Sequence, residues 1–183
     1  RTLKVAQPGD DILDAPTVSL ASYDSSTPFY SEATQRIDAS SSFTVRKYTN
    51  GLGWLLQTRL RGAVVSGVVR DIQVDSFYNA AGKISQQSAP YDVATTTSFA
   101  RSSLTSIRTS TAYDALGRVV RVQTPDGVQH NTAFGFDVSA NRSIVKSFDP
   151  RYPTTEAYAT KSYTDAWGRT RLVQPPTGPG VSY

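Results

Sequence analysis

The sequence predicts an all-β protein made of successive antiparallel hairpins joined edge to edge into a long curved sheet. Three observations predict it. One kind of turn signal recurs along the chain, most completely at Tyr113-Asp114-Ala115-Leu116-Gly117-Arg118. Short runs of alternating apolar and polar residues separate these turns, the pattern of half-buried strands. Ser and Thr fill 43 of 183 positions while apolar residues make up 38%, which suits many short strands with polar outer faces better than packed helices.

Composition bounds the chemistry. Only 19% of the chain is charged, without long charge runs, so wholesale disorder is not expected. Ten Tyr, seven Phe and two Trp supply the large apolar surfaces that a polar chain needs to cohere. With no Cys and no Met, disulfides, thiol catalysis and thiolate metal sites are excluded. No apolar run approaches the roughly 18 residues that would span a bilayer as a helix. The chain starts Arg1-Thr2-Leu3 and ends Gly180-Val181-Ser182-Tyr183, which reads as a piece of a longer polypeptide, so no compartment is legible from a leader. The net charge of +4 comes mostly from Arg, 14 against 5 Lys. A nucleic-acid reader would cluster them on one element; here they lie singly along expected strands, so solvated strand faces are expected and no nucleic-acid partner.

Taken in order, residues 1–42 read as an irregular N-terminal segment with short edge strands, and residues 43–183 as the hairpin region. Pro8-Gly9-Asp10-Asp11 marks a turn, and Asp10, Asp11 and Asp14 match no calcium-loop spacing. Ala15 to Leu20 is a candidate edge strand, followed by the loop Ser25-Ser26-Thr27-Pro28. Phe43 to Tyr48 alternates, Asn50-Gly51-Leu52-Gly53 turns, and Trp54 to Leu60 alternates again. Ala63 to Val74 predicts strands with a bend or bulge around Gly67. After Asn79-Ala80-Ala81-Gly82, residues 85–112 are polar, with a short helix over Phe99 to Ile107 as the one helical alternative. Val128 to Phe136, Ile144-Val145 and Arg169 to Gln174 complete the strands, with a stiff loop at Asp149-Pro150-Arg151-Tyr152-Pro153.

Aligning the turns defines a repeat. Tyr113, Asp114, Gly117 and Arg118 match Tyr78, Asn79, Gly82 and Lys83. Tyr48 to Gly53 and Trp54, and Tyr163 through Asp165 to Gly168 and Arg169, place one more residue in the loop. A degenerate copy runs from Phe136 to Asn141 and Arg142, where Asn replaces Gly as the next most tolerant residue for left-handed backbone. The aromatic is expected to pack on the sheet, Asp or Asn to bond the turn backbone, Gly to take a positive φ, and Lys or Arg to lay its stem over a ring. Leu55, Ile84, Val119 and Thr170 follow as expected inward positions, and a second turn, Thr124-Pro125-Asp126-Gly127, has a counterpart in Pro175 to Val181.

Tyr113 to Val122 closely resembles the YD repeat of Rhs proteins, distant relatives of the teneurins, and the run from Tyr48 to Gly127 is similar to the Rhs-type shell region of the B components of Tc (ABC) insecticidal toxin complexes. The resemblance covers residues 43–183 and implies a slice of a hollow β-shell that encloses a toxic polypeptide, in a bacterial protein secreted or held at the cell surface. Partners implied are neighbouring shell segments, other toxin-complex subunits and an encapsulated polypeptide. The family's aspartate-rich self-cleavage signature is missing, since Asp149-Pro150 is followed by Arg151 rather than Gly.

No catalytic constellation competes with this reading. His130 is the only His, Glu32 and Glu156 are the only Glu, and Gly178-Pro179-Gly180 lacks the Lys-Ser/Thr of a phosphate loop. Neither an enzyme activity nor a cofactor or metal is expected. The alternative from another class is an extracellular adhesion module that binds carbohydrate or protein through exposed Tyr and Trp54 or Trp167.

Overall fold

The computed structural model describes residues 2–6, 16–38, 41–96 and 98–178. The all-β expectation holds: the described residues form antiparallel strands and one 3₁₀ turn, with no α-helix. The chain divides into two compact units, residues 1–107 and 108–183.

Unit 1 holds β1 (Thr2–Val5), β2 (Val18–Tyr23), β3 (Phe29–Arg36), β4 (Ser42–Thr49), β5 (Leu55–Val65), β6 (Val68–Tyr78), β7 (Ile84–Ser88) and β8 (Tyr91–Ala94). From β1 to β7 each strand pairs with the next. β7 lines Ser76 to Tyr78 and β8 lines Arg70 to Gln73, both on the same side of β6. Pro90 lies between them and has no N–H to continue the ladder. At that gap the Asp75 N–H donates instead to Ser88 Oγ at 2.8 Å.

The alternation of side chains sorts this sheet into two unlike faces. One carries Leu3, Leu20, Ala33, Val45, Leu60 and Ile72 in direct register. The other carries Glu32, Arg46, Arg59, Gln73 and Tyr91 in one row, with Tyr23, Tyr30, Tyr48, Gln57 and Asp75 in the next.

Several sequence expectations change here. The boundary expected between residues 42 and 43 falls inside a hairpin, because Phe29–Arg36 pairs along its whole length with Ser42–Thr49. Its Ser- and Thr-rich strands lack a strong apolar signature because neighbouring strands, not local pattern, hold them. The candidate edge strand in Ala15 to Leu20 is β2, an interior strand between β1 and β3. Ser66-Gly67 is a two-residue hairpin turn with positive φ at both positions, +50° and +78°. The bulge sits earlier, at Gly62 (φ +73°), where Arg61 and Gly62 oppose Asp71. Phe99 to Ile107 forms no helix. The acidic turn at Asp10, Asp11 and Asp14 lies outside the described residues.

Unit 2 is a second meander: β9 (Arg108–Tyr113), β10 (Val119–Gln123), β11 (Gln129–Asp137), β12 (Arg142–Phe148), β13 (Ala159–Thr164) and β14 (Thr170–Gln174). The β12–β13 connection is pinned by a 3₁₀ turn at Glu156–Tyr158. Tyr152 stacks on Tyr158 at 3.9 Å, and Glu156 pairs with Lys146 and Lys161 at 2.7 and 3.0 Å. The Thr177 and Gly178 N–H groups both donate to the Ala157 carbonyl at 2.8 Å, so Thr177 and Gly178 are docked on the 3₁₀ turn. The rest of that expected second turn, Pro179 to Val181, lies outside the described residues.

Candidate functional site

Four hairpins share one loop. Asn50, Asn79, Asp114 and Asp165 each donate their N–H to the carbonyl four residues on, that of Trp54, Lys83, Arg118 or Arg169. Each accepts at its own carbonyl the N–H of Gly53, Gly82, Gly117 or Gly168, all at 2.9–3.0 Å. Their side-chain Oδ1 atoms accept two further N–H groups, two and four residues on, again at 2.9–3.0 Å. The four glycines have φ between +74° and +78°, a backbone region that costs other residues about 1–2 kcal/mol. In these four hairpins Asp or Asn supplies that oxygen and Gly relieves the positive φ by its missing Cβ.

A second shared feature has no mark in the sequence. After each loop the register slips by one, leaving Leu56, Ser85, Val120 or Arg171 as the extra residue of a β-bulge. Thr49, Tyr78, Tyr113 and Thr164 occupy equivalent positions, each opposite the residue six further on. The additional residue expected in the Tyr48 and Tyr163 loops is thus in the strand, not the loop. Tyr48 and Tyr163 consequently sit on the opposite pleat from Tyr78 and Tyr113. Of the residues expected inward two after Gly, Leu55 is half-buried, whereas Ile84 and Val119 are 36% and 40% exposed and Thr170 is exposed as well.

The Asp turns differ from the Asn turns in holding a cation. Asp114 Oδ2 accepts Arg118 Nε–H at 2.7 Å, and Asp165 Oδ2 accepts Arg169 and Arg171 Nε–H at 2.9 and 2.7 Å. The Arg118 guanidinium lies 4.0 Å from the Phe134 ring centroid, and that of Arg169 5.0 Å from Trp167, as expected for the residue after Gly. The Arg118 N–H, then its guanidinium, hold the Asp114 carboxyl below its usual range. Burial pushes Asp165 upward, but the Arg169 N–H and the two guanidinium groups outweigh it and bring it down to about 2. An Asn has an amide where Asp has its second oxygen, so Asn50 and Asn79 build the loop without that pair. Trp54, in the basic position, instead packs 5.0 Å from Tyr78 and across Gly82.

The Phe136 copy keeps one expectation and departs from another. Asn141 takes φ +51°, but Asp137 pairs with Arg142 around a longer loop, and Phe136 is 56% exposed. Thr124 to Val128 has the common loop backbone, with Gly127 at φ +87° and Thr124 in the Asp position.

The most enclosed cluster lies elsewhere, on the polar face of β4–β6, where residues 95–96 and 98–107 cross over it. Gln57, Arg59, Asp71, Gln73 and Asp75 are at most 1% exposed, and Arg46 is 4%. For Arg46 and Arg59 this overturns the expectation of solvated strand faces: Arg59 bonds the covering segment, far away in sequence, at Thr96 O, and Arg46 is enclosed by Glu32, Tyr30 and Tyr48. Asp75 Oδ1 accepts Gln57 and Gln73 Nε2–H at 2.8 and 3.1 Å, and its Oδ2 accepts the Tyr91 hydroxyl and Ser102 N–H at 2.6 and 2.9 Å. Arg59 donates to Thr96 O, Gln57 Oε1 and Gln73 Oε1 at 2.9, 3.1 and 2.8 Å, and lies 3.9 Å from Asp71. Gln57 and Gln73 also donate to Ala100 O, each at 2.7 Å. Phe99 anchors the segment 5.1 Å from the Tyr48 ring, and Arg101 lies 4.6 Å from Phe77.

This arrangement holds a chain more readily than it moves a proton. Asp75 already accepts four donors, and burial with the Asp75 hydrogen bond pushes Tyr91 up to about 12, too weak an acid for proton transfer near neutrality. A cavity of about 420 Å³ remains beside it, between Arg59, Tyr91, Arg101 and Leu104. Sequence reasoning missed these residues. The available signal was polar side chains at alternate positions of the two longest strands, Gln57 and Arg59 on one and Asp71, Gln73 and Asp75 on the other. His130 is exposed on β11.

Neither a family model nor a curated protein sequence matches the chain. Among the described residues, no helix is long and apolar enough to cross a membrane.

Proposed function

We propose that the chain is a structural, non-catalytic segment of an Rhs/YD-repeat shell that encapsulates or presents a toxin or effector polypeptide. The observation that carries this reading is the loop-plus-bulge unit repeated in four hairpins. A β-bulge increases local right-handed twist, and the same bulge after each loop adds that twist in the same sense, as a wall that must curve requires. The Asp–Gly–Arg form of the unit is the part that resembles the YD repeat, and its side chains are consumed by the turn they build.

In this role the partners are neighbouring wall segments and the enclosed polypeptide, and the protein works outside the bacterial cell. β1 and β14 each pair on one side only among the described residues, and an open edge is a template on which a further strand can pair. Electron microscopy of the full-length protein tests the reading. A hollow shell with this segment in its wall is the expected result; a compact solid domain overturns it.

A further inference from the structure

The loop between β4 and β5 contains a glycine that the loop does not need. After the Asn or Asp that organises it, the other three loops have Ala80, Ala115 and Ala166, whereas this one has Gly51. Gly51 does not take a positive φ, and a Cβ there would meet nothing within 4 Å. Neither backbone nor packing therefore calls for its missing side chain.

The hydrogen bonds around it are divided in a way that bears on reactivity. Asn50 Oδ1 accepts the Leu52 and Trp54 N–H groups at 3.0 and 2.9 Å. The Asn50 N–H and carbonyl are taken by Trp54 and Gly53. Asn50 Nδ2 and the Gly51 N–H, by contrast, donate no hydrogen bond among the described residues. Two donors fixed on Oδ1 draw electron density from Cγ and stabilise the negative charge that reaches this oxygen when Cγ is attacked. They also hold the amide beside the next backbone nitrogen. That nitrogen belongs to Gly51, exposed and unshielded by a side chain, with Leu52 beyond it 71% exposed.

We infer that Asn50 is a site of spontaneous modification, at which the chain converts its own amide to a carboxylate through a cyclic imide with Gly51. The Gly51 nitrogen gives up its proton and bonds to Asn50 Cγ. The Cγ–Nδ2 bond then breaks, and ammonia leaves with the proton. Water opens the ring on either side: cleavage of the new Cγ–N bond gives aspartate, and cleavage of the original peptide bond gives isoaspartate. Aspartate at 50 keeps the Oδ1 on which the loop is built, as Asp114 and Asp165 do, but faces Trp54 instead of an arginine. Isoaspartate adds a methylene to the main chain inside the loop and pulls the bonds to Trp54 and Gly53 out of register. The site belongs to one turn of unit 1 and stands apart from the shell reading.

Incubation of the whole chain at neutral pH, followed by tryptic digestion and mass spectrometry, tests it. Fragments 48–59 and 71–83 report Asn50 and Asn79 separately. Asn50 should convert about tenfold faster than Asn79 or more, to aspartate and isoaspartate together. Gly51→Ala should bring Asn50 down to the rate of Asn79. Circular dichroism should show that this variant folds, since the other three loops carry Ala at that position. The chain unfolded in guanidinium chloride gives the rate set by sequence alone, which the folded chain should equal or exceed. Equal rates at Asn50 and Asn79, conversion indifferent to Gly51→Ala, aspartate without isoaspartate, or a folded chain slower than the unfolded one overturns the inference.

Discussion

The two units share a hairpin repeat but are held together by different means. Among the described residues of unit 1, nearly everything fully buried is polar or charged: Arg46, Gln57, Arg59, Asp71, Gln73, Asp75, Ser76 and Ser88, with Tyr48 between them. Among the described residues of unit 2 only Ala159 and Gly178 are buried to that degree, while the described carboxylates held below their usual range all belong to that unit. One unit depends on a covered network with non-local partners, the other on turns whose partners lie within a few residues. Local chemistry is enough to make a hairpin, but only a covering segment turns a polar sheet face into a core.

The largest effect should come from breaking the covered network. Asp75→Ala removes the acceptor of four hydrogen bonds, two of them fully buried, and each buried group left without its partner costs about 1–3 kcal/mol. Urea denaturation should show that loss, with proteolysis inside 95–107 preceding global unfolding. Asp137→Ala removes a carboxylate that also accepts three hydrogen bonds, but in an exposed loop, and should move the urea midpoint far less. Equal effects would erase the distinction between the units.

The next test compares one residue type in one loop. Gly82 and Gly168 have φ of +74° and +78°, yet a Cβ on Gly82 would lie 2.7 Å from the Trp54 ring while one on Gly168 meets nothing within 4 Å. Gly168→Ala should cost only the left-handed backbone penalty, about 1–2 kcal/mol. Gly82→Ala should add about 1–3 kcal/mol of overpacking. Trp54→Ala in the Gly82→Ala background should recover the added part, because the crowded atom is gone. Identical losses at the two glycines would show that Trp54 yields without cost.

What the sequence reveals follows the same division. The loops at Asn50, Asn79, Asp114 and Asp165 were legible because every atom that builds them lies within five residues, and Gly and Asp or Asn are the residues that geometry demands. The bulges at Leu56, Ser85, Val120 and Arg171 were not, since those four share no chemistry, and the Thr124 to Val128 loop has the same backbone with no slip after it. β2 and β3 were only partly legible, because Ser and Thr at alternate positions define no face until β4 pairs alongside. Arg59 reads as a solvated strand residue until Thr96 O, 37 residues away, is found bonded to it. The shell and its cargo rest on resemblance at Tyr113 to Arg118, and no pairing within the chain speaks to them.

Titration should separate the units by sign. Tyr91 in unit 1 is raised from its ordinary 10.0 to about 12, so the unfolded chain loses that proton first and unit 1 loses stability as pH rises from about 10 to about 12. Asp165 and Asp149 in unit 2 are lowered from 3.8 to about 2. Their contribution is complete above pH 3.8 and disappears as pH falls through about 2, because the unfolded chain then binds protons that the folded turns exclude. Trp54 lies in unit 1 and Trp167 in unit 2, so single-Trp variants report each by fluorescence. Asp165→Asn makes the acid limb specific: Asn keeps the Oδ1 that accepts the Trp167 and Arg169 N–H groups, as Asn50 and Asn79 do in unit 1, but gives up the anion that Arg169 and Arg171 share. The β13–β14 hairpin should therefore keep its amide protection near neutrality, while the Trp167 signal loses part of its dependence on pH between 4 and 2. An unchanged acid limb in that variant would place the coupling at the other lowered carboxylates of unit 2, Asp149 foremost, and loss of the hairpin at pH 7 would mean that the turn needs the charge as well as the oxygen.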